Sequence, residues 1–275
     1  MQAVTSDTIK VPGARLYYEA VGRGPLLVII PGGPQDAGVF ADLAQRLADR
    51  YRVVAYDPRG NSRSTFDGAA QPQDMDVHGD DAAALIEAAG DGPAYVFGTS
   101  GGAQIGLNLA ARYPHLVKRL IAHEPPTVML LDDPAPVLAT NDELQATYRR
   151  DGVEAAMGLF FSQNGLNEDM DGPPPDMTPE AMETFARVSG NFEYWLADGV
   201  VSLSSYEPDL AALRADPARI VVALGVGSVD QPIHAMGTAL ASRLGVQPVA
   251  FPGDHMGFET EPDAFAAAMA CSLAD

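Results

Sequence analysis

Pro93-Ala94-Tyr95-Val96-Phe97-Gly98-Thr99-Ser100-Gly101-Gly102 decides the reading of this chain. Its first five residues form a short apolar run after a proline, the pattern of a buried strand. Beyond it, Ile105, Leu107, Leu109 and Ala110 recur over a stretch that stops near Tyr113-Pro114, which predicts a helix. Between the two lies Gly98-Thr99-Ser100-Gly101-Gly102, a Gly-x-Ser-x-Gly turn. A serine in such a turn sits in strained backbone geometry, with strand and helix crowded around it. Side chains at Gly98 or Gly102 would clash there. The strain lifts the hydroxyl clear of the sheet, at the start of a helix whose free N–H groups stabilise negative charge. A structural Gly-rich turn has the same composition but needs no serine at its centre. Ser100 is the candidate nucleophile.

Working outward, strand-like runs alternate with helix-like ones. Strands are expected at residues 15–20, 26–30, 51–56, 93–97, 117–122, 219–224 and 248–251. Helices are expected at 40–48, 80–89, 233–244 and 262–272, the second with Asp80 and Asp81 near its positive end. The alternation predicts an α/β fold with a mostly parallel central sheet flanked by helices. Between Pro125 and about Tyr206 the pattern changes to helices alone, at 142–150, 153–161 and 179–188, joined by Pro- and Gly-rich loops. An all-helical insertion in an α/β chain is expected to cap the carboxyl ends of the strands, where open α/β sheets bind ligands. The expected division is a core of residues 1–125 and 207–275 with a helical cap of 126–206. Gly172-Pro173-Pro174-Pro175 marks a stiff or mobile loop within that cap.

Composition narrows the function classes. A net charge of −20, with Lys10 and Lys118 as the only lysines, repels phosphate backbones and anionic membranes. A small-molecule partner is therefore expected, and neither nucleic acid nor membrane. No apolar run approaches the length of a membrane span. The opening residues Met1 to Asp7 have no basic region and no apolar stretch after them, so no signal peptide is expected and the expected compartment is cytoplasmic. Cys271 is the single cysteine, which excludes an intrachain disulfide.

A serine hydroxyl is a poor nucleophile until a base takes its proton, and the base needs an orienting acid. With this kind of turn the partners follow in the order Ser, acid, His. His115, at the end of the helix after Ser100, suits a solvent-facing cap. His255, in Pro252-Gly253-Asp254-His255-Met256-Gly257, sits in a loop directly after the last strand and can reach the top of the sheet. It is the candidate base, and its neighbour Asp254 would point elsewhere. Two carboxylates compete for the role of acid. Asp230 follows the strand at 219–224 by a Gly-rich loop, the usual address, although the usual spacing falls on Ser228. Glu124, in His123-Glu124-Pro125-Pro126, follows the strand at 117–122 and carries one extra methylene of reach. An oxyanion hole needs two backbone N–H donors. One is expected from Gly101, after the nucleophile. The other is expected from Pro31-Gly32-Gly33-Pro34, where the prolines lack an N–H and Gly33 is preferred over Gly32.

Other segments read as structure. Asp57-Pro58-Arg59-Gly60-Asn61-Ser62-Arg63-Ser64 follows a strand directly, and Arg59 is expected to tie loops together. Asn167-Glu168-Asp169-Met170-Asp171-Gly172 opens like a calcium loop, but three prolines follow and its twelfth position is Thr178 in place of Glu. With no zinc cluster, phosphate loop or dinucleotide fingerprint, neither metal nor cofactor is expected.

The Gly-x-Ser-x-Gly turn, the Asp-x-Arg-Gly-x-x-x-Ser segment and the Pro-Gly-x-His loop together resemble the α/β-hydrolase superfamily, over residues 17–269. Where many members have His before the oxyanion glycine, this chain has Pro31. Within the superfamily it resembles bacterial serine hydrolases and the fungal zearalenone lactonases. That resemblance implies a cap inserted after the sixth strand and a glutamate as triad acid in a His-Glu-x-Pro segment, here Glu124. It also implies a substrate-packing role for Trp195, which read by itself is equally a cap packing residue. The implied activity is hydrolysis of a carboxylic ester or lactone through an acyl-enzyme. Phe160, Phe161, Phe192 and Tyr194 in the cap suit an apolar or aromatic guest. Rival chemistries of the same fold are peptidase, C–C hydrolase and cofactor-free haloperoxidase work, and some members act as small-molecule receptors. A serine at position 100 argues against the dehalogenase and epoxide hydrolase chemistries that use aspartate.

Overall fold

The computed structural model describes residues 1–90, 92–163 and 177–274. A nine-stranded sheet runs through the molecule. In chain order its strands are β1 (Thr5–Val11), β2 (Ala14–Val21), β3 (Leu26–Ile30), β4 (Arg52–Tyr56), β5 (Thr65–Phe66), β6 (Ala94–Thr99), β7 (Val117–His123), β8 (Ile220–Gly225) and β9 (Val249–Phe251). The spatial order is β1-β2-β4-β3-β6-β7-β8-β9, with β5 beside β2. β2 pairs antiparallel with β1, β4 and β5, and every pair from β4 across to β9 is parallel. The central strands β3, β6 and β7 are apolar runs because both faces are covered by helices.

Before β7 the helices are α1 (Ala41–Leu47), α2 (Met75–Ala89) and α3 (Gly101–Arg112). Between β7 and β8 come α4 (Ala135–Asp151), α5 (Val153–Gln163), α6 (Pro179–Gly190), α7 (Phe192–Tyr194), a π-helical turn (Trp195–Gly199), α8 (Val200–Ser204) and α9 (Leu210–Leu213). The chain closes with α10 (Pro232–Leu244), α11 (Gly257–Thr260) and α12 (Pro262–Leu273). One apolar cluster joins α2, α3 and α10 to one face of the sheet through Leu85, Leu107 and Leu240. A second joins α1 and α12 to the other face through Leu43, Phe97 and Phe265. A third and smaller cluster, including Leu144, Met157, Trp195 and Val200, holds the helices between β7 and β8 to one another. No helix among the described residues is long and apolar enough to cross a membrane.

The α/β architecture is the one the sequence predicts; β5 and the helical turns from α7 to α9 were not expected, α4 begins at Ala135 and not at 142, and two further differences have a clear cause. β1 was not expected; it is a mostly exposed hairpin partner of β2, so it carries no apolar run. With β1 counted and the two-residue β5 set aside, the strand before the helical segment is the sixth. α2 starts at Met75, earlier than residue 80, because the Asp74 side chain caps it by accepting from the N–H groups of Asp76 and Val77. Asp80 and Asp81 therefore lie in its second turn.

Candidate active site

Register brings the site together. β6 and β7 run parallel with Thr99 opposite His123, so the next residues along, Ser100 and Glu124, leave the sheet side by side. β7 pairs with β8 through His123 and Ala223, and β8 pairs with β9 through Gly225 and Phe251. The loop after β9 then carries His255 over the same carboxyl edge, where an open parallel sheet places its ligands.

Ser100 adopts φ 53° and ψ −127°, a strained conformation for a residue with a side chain. The crowding expected of the turn is present. A Cβ on Gly98 would strike the Gly102 carbonyl, and one on Gly102 would strike the carbonyl oxygens of Ile30 and Pro31. The Ser100 N–H donates to the His123 carbonyl oxygen at 2.9 Å, which ties the turn to the end of β7.

Glu124 is fully buried and holds φ 44°, a second strained residue at the same edge. Both of its carboxylate oxygens are held: Oε2 accepts from His255 Nδ1 at 2.7 Å, and Oε1 accepts from the Gly225 N–H at 2.9 Å. Burial by itself would raise this carboxyl, but the His255 hydrogen bond and the neighbouring imidazoles outweigh it and hold it below its ordinary value. Glu124 is thus an anion aimed at the Nδ1 edge of the His255 ring, leaving Nε2 for another partner. Asp230 is exposed and makes no hydrogen bond or ion pair with His255, so the two rival carboxylates are placed very differently. The Asp254 carboxylate accepts from the Met256 N–H at 2.9 Å and faces its own turn.

His123 lies beneath the pair. Its ring stacks on His255 at 6.1 Å and is walled by Phe97, Phe251, Phe258 and Phe265. Burial pushes its pKa down to about 3, so it stays neutral beside the His255 ring. Its Nδ1 is 2.9 Å from Thr99 Oγ1. The remaining histidines lie apart: His78 is buried in α2, His115 is exposed, and His234 is in the first turn of α10.

Of the two glycines after β3, Gly32 gives its N–H to Gln35 Oε1 at 3.2 Å. The Gly33 and Gly101 N–H groups make no hydrogen bond among the described residues, and Gly33 N lies 3.4 Å from where a Cβ on Gly101 would stand. Two free donors therefore flank the serine, as an oxyanion hole requires. The Gly33 loop is braced by residues that the sequence reading did not single out for this role. Asn61 Nδ2 donates to the carbonyls of Gly33 and Gln35, both at 3.2 Å. Asn191, 5% exposed and at the start of α7, donates to the Pro34 carbonyl at 2.8 Å and accepts from the Ser62 N–H at 2.7 Å. The helical segment thereby grips the loop that carries Gly33. An Asn just after a helix in a Gly-Asn pair gave no signal, because its partners are distant in sequence.

Arg59 forms a buried fork with Asp81 at 2.6 and 2.7 Å and ties its loop to α2. Asp57 receives Arg63 and the Ala37 N–H. These residues frame the site and do not line it. A cavity of about 380 Å³ opens over Ser100 and His255. Gly33 and Gly101 border it on the sheet side, and Trp195 and Phe160 border it from the helical segment. The Trp195 Nε1 is 3.6 Å from a Cβ position on Gly33, and its ring meets Phe160 edge-on at 4.9 Å. Among the described residues no cluster of His, Cys, Asp and Glu is arranged to hold a metal ion. The acidic stretch 167–172 and the triple proline that follows lie outside the described residues.

A family model described as alpha/beta hydrolase fold matches residues 25–164. The chain belongs to this family. An uncharacterized hydrolase, YraK, of Bacillus subtilis (strain 168) is 33% identical over 93% of this chain and 91% of its own length. A zearalenone hydrolase of Bionectria ochroleuca is 28% identical, covering 95% of each chain. Among solved structures, a thermophilic esterase from Thermogutta terrifontis superposes with a TM-score of 0.76 over 97% of this chain and 98% of its own, at 18% identity. That last likeness concerns the α/β-hydrolase fold alone.

Proposed function

We propose that this chain is a serine hydrolase that cleaves a carboxylic ester or lactone of a small apolar or aromatic molecule through an acyl-enzyme. The observation that carries the reading is the 2.7 Å hydrogen bond between Glu124 and His255 at the sheet edge where Ser100 stands. Ser100 attacks the carbonyl while His255 Nε2 takes its proton, and Glu124 steadies the imidazolium that forms. The N–H groups of Gly33 and Gly101 receive the oxyanion. The alcohol leaves with the proton held by His255. Water, activated by the same ring, then hydrolyses the acyl-Ser100 ester and restores the site.

Residues 126–206 act as the cap in this account, and Trp195 and Phe160 supply an apolar surface for the guest. The similarity to the zearalenone hydrolase makes that lactone the first compound to try. Incubation with zearalenone and with a short series of aryl esters, followed by chromatography, tests the reading. Ser100→Ala serves as the blank. Serine-dependent multiple turnover on any of them supports a hydrolase. Tight retention with no turnover points instead to a receptor.

A further inference from the structure

We propose that this site takes uncharged esters or lactones and turns away those that carry a carboxylate, a selection made by the cavity wall. The inference rests on the ester-hydrolase reading and narrows its substrate class. Among the described residues that line the cavity, His255 is the one titratable side chain, and its Nδ1 is committed to Glu124. Besides Ser100 and the Trp195 indole, the other polar side chains are neutral amides and hydroxyls: Gln104, Thr140, Asn141, Gln163, Ser204 and Gln231. Gln104 has its donor end spent, since Nε2 donates to the carbonyls of Pro126 and Leu203 at 3.0 and 3.4 Å, and its buried Oε1, unpaired among the described residues, is an acceptor that offers a carboxylate nothing. The rest of the wall is apolar, with Val137, Leu144 and Met236 beside the aromatic pair. A carboxylate moved onto such a wall loses its water and gains no cation, an unfavourable exchange.

Among the described residues no arginine or lysine lines the cavity to compensate. Residues 126–206 contain three basic residues, Arg149, Arg150 and Arg187, against fourteen acidic ones. Arg187 is bound to Asp36 at 2.7 Å and Arg150 to Asp151 at 2.6 Å. The described part of this segment, with ten acidic residues against three basic ones, therefore adds a repulsive field to the local desolvation. The free N–H groups of Gly33 and Gly101 do favour an anion, but in catalysis the scissile carbonyl occupies them.

Asn141 offers a direct way to reverse the selection. It sits on the face of α4 shared by Val137 and Leu144, lines the cavity, is only partly buried, and has no hydrogen-bond partner for its side chain among the described residues. Asn141→Lys puts a cation on the wall from a position with access to water.

The test compares two nearly isosteric substrates, mono-4-nitrophenyl succinate and its methyl ester, with wild type and Asn141→Lys at pH 8. The wild type is expected to cleave the methyl ester with kcat/KM roughly 100-fold or more above the acid. Asn141→Lys is expected to narrow that ratio at least about tenfold by raising the rate on the acid. A wild-type ratio within threefold overturns the proposal, as does an unchanged ratio in an Asn141→Lys protein that still cleaves the methyl ester. If neither ester shows Ser100-dependent cleavage, the ester-hydrolase reading fails by itself. Binding then decides the charge question in Ser100→Ala, whose fluorescence comes from the chain's single tryptophan, Trp195, at the cavity wall. Quenching by the methyl ester alone supports charge exclusion. Equal quenching by both esters, or none by either, overturns it.

Discussion

Glu124 and His255 stand 131 residues apart in the chain and share a 2.7 Å hydrogen bond at the carboxyl edge of the sheet. The exposed Asp230 takes no part in it. Replacing Glu124 by Gln keeps the shape, removes the charge and lets the ring adopt the wrong tautomer, so kcat should fall by roughly 1,000-fold or more. Asp230→Asn should remain within about threefold of wild type. Steady-state rates on an ester that the wild type turns over check both.

Ser100 holds its φ of 53° at a cost to the fold. Glycine tolerates that conformation, so Ser100→Gly should abolish activity yet stabilise the protein by about 1 kcal/mol. Gly102→Ala has the opposite character. Its Cβ meets the Ile30 and Pro31 carbonyls, and it should lower stability by about 3 kcal/mol or more. Urea denaturation of the two variants against wild type reads both signs.

Asn191 couples the helical segment to the Gly33 loop through Pro34 and Ser62. Asn191→Ala leaves these partly buried groups without their partner, which costs about 1 kcal/mol. Because the loop carries the Gly33 donor, kcat should fall roughly tenfold with KM changed far less. A loss confined to KM would show that Asn191 shapes the pocket and leaves the donor in place.

Two buried imidazoles set the acid limit of the fold. Burial holds His123 at about 3 and His78 at about 4, each below the ordinary value of 6.5. As pH falls below 6.5 the unfolded chain binds protons that the folded chain refuses, so the native state loses up to about 1.4 kcal/mol per pH unit for each ring. The loss runs until pH reaches the folded value. Glu124, held below its ordinary value, adds a further loss once the pH drops below about 4.5. Thermal melts from pH 7 to pH 4.5 should show a steady fall in Tm, with a shallower slope in His78→Gln.

Much of this was legible in the sequence because local signals carried it. Gly98 and Gly102 are demanded by close approach within a few residues, and the alternating strands and helices announced the parallel sheet. Ser100, His255 and Gly101 follow from position relative to strand ends. The choice between Glu124 and Asp230 did not follow from spacing, since it turns on how β7 and β8 are registered beside the His255 loop. β1 was hidden because its side chains are mostly exposed, although Pro12-Gly13 supplies the turn to β2. The bracing by Asn61 and Asn191 joins segments remote in sequence and leaves no local pattern. The π-helical turn at Trp195–Gly199 was equally silent, being an insertion into an otherwise regular helical run.

Intact-protein mass spectrometry with a fluorophosphonate probe tests the central claim most directly. The account predicts a single covalent adduct that maps to Ser100, is absent from Ser100→Ala, forms far more slowly in Glu124→Gln, and forms at the wild-type rate in Asp230→Asn. An adduct that forms equally fast in Glu124→Gln, or no adduct at Ser100, would contradict a Ser100–His255–Glu124 hydrolase.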